Sequence, residues 1–80
     1  MTRKHFEFMA GNIRAEVAVA RARALAKDVE GFKTSFNRAC GMYDLAVNVS
    51  TRHGKNFNQP RFAEACKIDE LAELSVEVLK

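Results

Sequence analysis

The sequence has no tryptophan, one proline (Pro60) and only two cysteines (Cys40, Cys66). Two thiols cannot make a disulfide framework, so the fold must rest on a packed core. Both lie in apolar helical patterns, and the spacing predicts buried free thiols rather than a bridge. The four glycines, Gly11, Gly31, Gly41 and Gly54, are scattered, so no phosphate-cradling loop can form. No Gly/Ser-rich linker or internal repeat divides the chain, and no run approaches the ~20 apolar residues of a membrane span. The opening Met-Thr-Arg-Lys-His-Phe-Glu is basic, but Glu7, Asn12 and Arg14 interrupt any signal-peptide apolar region. These absences point to a single domain over residues 1–80, placed in the cytoplasm.

Present instead is apolar character in 48% of the 80 residues, enough for one core. A chain this short buries only about 60% of its unfolded surface, so its stability margin is thin. The net charge of +3 conceals a division. Residues 1–67 form a basic body with twelve Lys/Arg against six Asp/Glu, while residues 68–80 carry Asp69, Glu70, Glu73 and Glu77 against Lys80. A basic body attracts nucleic acid or an acidic protein, unless the acidic tail folds back and cancels the field.

The periodicity predicts an all-α bundle of three to four helices with a long first helix. Thr2 is a suitable N-cap and Gly31 a natural stop. Between them Phe6, Met9, Ala10, Ile13, Val17, Ala20 and Ala24 share one face. Phe8, Ala15, Val19, Ala22 and Ala26 form a second apolar stripe on the opposite side. Charges fill the two gaps: Arg3, Glu7, Arg14, Arg21 and Asp28 along one edge, Glu16, Arg23, Lys27 and Glu30 along the other. A helix apolar on two faces calls for neighbours on both. The second stripe is therefore a candidate self-association face, for a homodimer or a partner helix, unless the chain's own helices cover it.

A second helix is expected from Phe32 to Arg52. Phe32, Phe36, Ala39, Cys40, Tyr43, Ala46 and Val47 make its stripe, with Met42, Leu45 and Val49 widening it. Gly41 is either a weak point, costing about 1 kcal/mol relative to Ala, or a mark of close helix contact. Gly54 suits a C′ position after this helix. Asn58 is a good N-cap for a short third helix that turns Phe62, Ala65 and Cys66 inward, with Pro60 in its first turn. Phe57 and Phe62 have the N′ and N4 spacing of a hydrophobic staple. Burying each should contribute roughly 1.5–3 kcal/mol. Asp69 is placed to open a last helix in which Ile68, Leu71, Leu74, Val78 and Leu79 share a face; whether it is separate from the third is left open.

Catalytic and metal chemistry find little support. His5, Cys40, His53 and Cys66 are too widely spaced for a zinc site. No base is placed beside either cysteine. The paired acids Glu70, Glu73 and Glu77 look like a wet helix face. The expectation is no enzyme, no metal and no cofactor. For nucleic acid or an acidic partner, Arg52, His53, Lys55 and Arg61 cluster around one loop and helix start, and Arg14, Arg21 and Lys33 extend them. Phosphate contacts need little more than such charges. A recognition helix with several base-reading side chains in register is missing.

Two stretches carry a resemblance. Arg3-Lys4-His5-Phe6, with Ala10 and Ile13, and Phe57-Asn58 followed by Arg61-Phe62 and Ala65-Cys66, resemble a group of short bacteriophage and prophage reading frames. Those open with Arg-Lys, an aromatic and an apolar helix stripe, and close with Phe-Asp/Asn-x-x-Arg-Phe-x-x-Ala-Cys. This chain lacks the Pro-Arg pair usual before the Phe and adds the acidic tail 67–80. The resemblance spans both ends of residues 3–66 and implies a phage or mobile-element origin, with no activity attached. With the small size, it leads to one expected function: stoichiometric binding to a host protein complex. Inhibitors of bacterial defence, anti-CRISPR proteins among them, work in this way. The alternative is a small nucleic-acid-binding accessory protein using the basic cluster.

Overall fold

The computed structural model describes residues 3–53 and 57–79, with His53 described by its backbone alone. Four helices follow in order: α1 (Arg3–Leu25), α2 (Val29–His53), α3 (Gln59–Cys66) and α4 (Ile68–Val78). No strand occurs among the described residues, and the all-α expectation holds with four helices and a long first one. The caps expected at Thr2 and Gly54 lie outside the described residues.

The first helix does not run on to Gly31. It stops at Leu25, and α2 begins at Val29, ahead of the expected Phe32. The cause is local. Lys27 adopts the left-handed conformation, φ 60°. Its N–H donates to the Ala24 carbonyl at 3.1 Å, and the Asp28 N–H donates to Arg23 at 2.9 Å. These two bonds make a Schellman ending, with Lys27 where glycine is usual. Asp28 then starts the next helix: its Oδ1 accepts the Gly31 N–H at 2.9 Å, and its carbonyl accepts the Phe32 N–H. Arg23 closes over the turn, with Nη1 3.2 Å from Asp28 Oδ2. Gly31 is thus inside the first turn of α2, where a Cβ would overlap the Asp28 carboxylate and the Arg23 guanidinium. Its lack of a side chain makes room for the cap; it does not end a helix.

The short turn sends α2 back antiparallel to α1, and these two helices share the most extensive contact in the fold. Ala10, Ile13, Val17 and Ala20 of α1 are buried against Phe32, Ala39 and Ala46 of α2. Small residues dominate this seam, which lets the helices approach closely. Ser35 and Ser50 are buried in α2 as well, at positions the apolar pattern does not mark.

The staple is present as read from the sequence. Asn58 caps α3, its Oδ1 accepting the Arg61 N–H at 3.1 Å. The Phe57 and Phe62 rings lie 5.3 Å apart. Phe62 is fully buried and also meets Phe6 edge-on at 5.1 Å and Tyr43 stacked at 5.8 Å. One aromatic cluster therefore ties the starts of α1 and α3 to the second half of α2.

Lys67 separates α3 from α4. It too is left-handed, φ 65°, and its N–H turns back to Ala63 and Glu64. Asp69 and Glu70 lie in the first turn of α4, where the helix dipole favours them. Leu71 is buried, with Ile68, Leu74 and Val78 half-buried beside it. Leu79, expected on that face, lies past the helix end and is exposed. α4 packs on α1 and α2, and Glu70 forms an ion pair with Arg21. The acidic tail therefore does fold back, onto the distal half of α1.

Candidate protein-binding face

Two ion pairs show which sides of α1 are covered. Arg21 pairs with Glu70, so α4 lies along the edge that carries Arg14 and Arg21. Glu16 Oε1 sits 3.5 Å from Arg38 Nη1, so the other edge borders α2. α3 and α4 occupy one side of the α1/α2 hairpin. No described helix covers its other side, where the seam is marked by Glu16 and Arg38.

The second stripe of α1 is left open. Phe8, Ala15, Val19, Ala22 and Ala26 are all exposed, Phe8 by 66%. Coverage by the chain's own helices, one of the two options the pattern allows, is not what this fold provides. The residues expected to widen the buried stripe of α2 divide. Met42 is half-buried, but Leu45 is 66% exposed and Val49 is exposed beside it. α2 has only α1, α3 and α4 to pack against, and those occupy the arc around Phe32, Ala39, Tyr43 and Ala46. Leu45 and Val49 point past it. At Gly41, one turn before Leu45, a Cβ would meet nothing within 4 Å, so this glycine marks open surface and not a close helix contact.

At the seam lies a polar oddity. The Glu16 side chain is only 15% exposed, and among the described residues its buried Oε1 has no hydrogen bond and only Arg38 at ion-pair reach. A buried carboxylate oxygen with incomplete hydrogen bonding is costly unless something else completes its shell.

The predicted basic residues end up in different situations. Arg21 is engaged by Glu70, which removes it from the cluster. Arg14 is exposed on the same edge of α1, close enough to Cys66 to act on that thiol. Arg52 is exposed near the end of α2, and Arg61 is exposed in the first turn of α3. Lys55 and the His53 side chain fall outside the described residues.

Both cysteines are free. Burial pushes the Cys66 thiol up to about 11, against a smaller opposing pull from Arg14. Burial also raises Cys40, helped by the carboxylate of Asp44 one turn away. Raised values keep both as neutral thiols, the unreactive form. No group of three or more His, Cys, Asp or Glu that could hold a metal ion occurs among the described residues. No helix among them is long and apolar enough to cross a membrane.

Comparison with protein-family models, curated proteins and solved structures finds no match to this chain.

Proposed function

We propose that this protein is a phage or mobile-element accessory factor that works by stoichiometric binding to a host protein complex, in the cytoplasm of a bacterial host. The binding surface is the open side of the α1/α2 hairpin, built on Phe8, Val19, Leu45 and Val49. The observation that carries the reading is a second apolar stripe, centred on Phe8 and Val19, that stays in water on a helix whose other face buries Ala10, Ile13, Val17 and Ala20. Aromatic and aliphatic groups on a rigid helical surface are the anchors protein interfaces use. The resemblance of the Arg3–Ile13 and Phe57–Cys66 stretches to phage reading frames supports the origin. An inhibitor of a bacterial defence complex, of the anti-CRISPR kind, is the role that origin and small size favour. A second copy of the chain is the competing occupant of the face.

The test is capture from nuclease-treated host lysate by the wild-type chain and by Phe8→Asp, with light scattering on each. A defined complex of fixed stoichiometry, lost in the variant while its helical circular dichroism and melting stay unchanged, is the expected result. Equal capture by both chains would overturn the reading. A wild-type dimer that Phe8→Asp turns into a monomer, with no host protein bound, would assign the face to self-association instead.

A further inference from the structure

The charge division along the sequence becomes a division in space. Three helix ends meet at one end of the bundle: the starts of α1 and α3, joined by the Phe6–Phe62 contact, and the end of α2. Counting outward from the Glu16–Arg38 pair along the antiparallel helices brings Arg52 level with the start of α1. Lys4, Arg52 and Arg61 are exposed there and form no ion pair among the described residues. Arg3 stands beside them, with Glu7 at 3.2 Å. Along α1, α2 and α3 the acids nearest this end are Glu7, Asp44 and Glu64.

The first two acids of the tail are held near the middle and far half of α1. Glu70 is anchored at Arg21, and Asp69 and Glu70 sit in the first turn of α4. The pairs Arg23–Asp28 and Lys33–Glu30 lie at the α1/α2 turn. The helix dipoles follow the same division. α2 and α4 carry acids in their first turns, whereas α1 and α3 carry none, so the positive ends of α1 and α3 add to the basic side chains. Folding the tail back thus takes Glu70 to Arg21 and not to Lys4, Arg52 or Arg61.

We propose that this end of the bundle binds the phosphate backbone of a nucleic acid, without reading sequence, through Lys4, Arg52 and Arg61. Point charges from three different helices suit the spaced phosphates of a backbone. Lys4 precedes Phe8 by one turn of α1, so this surface adjoins the Phe8 face, while Arg52 and Arg61 stand on other helices.

The experiment is fluorescence anisotropy with a labelled 20-base-pair DNA duplex at rising salt. Three phosphate contacts give a slope of about −2.7 in log affinity against log salt, so raising salt from about 50 to about 200 mM weakens binding roughly 40-fold. Arg52→Ala/Arg61→Ala should cut the slope to about −0.9. Lys27→Ala/Lys33→Ala, which removes the same charge at the far end, should leave it unchanged. All altered side chains are exposed, and circular dichroism checks the fold. No binding at about 50 mM salt, or equal slopes for the two double variants, would overturn the proposal. So would displacement of the duplex by a polyglutamate peptide at matched charge, which would assign the basic end to an acidic protein.

Discussion

Val17 and Val19 stand two residues apart on the same helix, with the same side chain and opposite fates. Val17 is 2% exposed, in the seam with α2; Val19 is 41% exposed, on the open side. Intrinsic helix propensity cannot distinguish them, because it is the same for both. The difference lies in which neighbours the turn at Lys27 and the fold-back of α4 bring to each face. The buried face holds the domain together. The open face is free to do something else at little cost to stability.

The widest separation comes from placing a charge on each face. Val17→Asp buries an unpaired carboxylate in a seam of small residues and should leave the chain unfolded at 25 °C, seen as loss of the helical circular dichroism signal. Val19→Asp should change stability by no more than about 0.5 kcal/mol in urea melts. Comparable losses from both would mean that the open face is packed in solution. Next in size is Phe62→Ala, which empties the centre of the aromatic cluster and should cost about 3–5 kcal/mol by the same melts. For a domain of this size that is a large share of the total stability.

A smaller effect concerns the turn that creates the two faces. A lysine at φ 60° is strained where glycine is not, so Lys27→Gly should raise the urea midpoint by roughly 1 kcal/mol equivalent. A drop would show that the Lys27 side chain contributes something beyond its backbone.

A pH-dependent effect remains, in the titration of a buried thiol. The folded state holds the Cys66 proton up to about 11, whereas the unfolded chain releases it near 9.0. Between those values the native state binds more protons, so this contribution to stability is complete below pH 9 and fades as pH rises toward 11. At neutral pH a thiol reagent should react with Cys66 only on unfolding, and fast native-state labelling would contradict its burial.

Much of the fold was legible because periodicity and capping are local. The stripe from Phe6 to Ala24, the α2 stripe, the Asn58 cap and the Phe57–Phe62 staple follow from residues within one or two turns of each other. The helix boundaries at Lys27 and Lys67 were not. Both are lysines in a conformation associated with glycine, and Gly31 offered a more conventional stop. Asp28 was the better signal, since one residue can end a helix with its N–H and cap the next with its carboxylate. Of the candidate site, the α1 stripe was legible as apolar, but its exposure was not. Leu45 and Val49 were missed because an apolar residue beside a stripe reads the same whether or not a helix lies over it.

Composition and side-chain order alone set the helical class, the single core, the aromatic clamp and the two greasy sides of α1, since each depends on spacing along one helix. Which side stays in water was settled only by packing. So was the neutralisation of Arg21, and so was the gathering of Lys4, Arg52 and Arg61 at one end. Those outcomes depend on residues far apart in the chain becoming neighbours, and no local pattern encodes the distance between them.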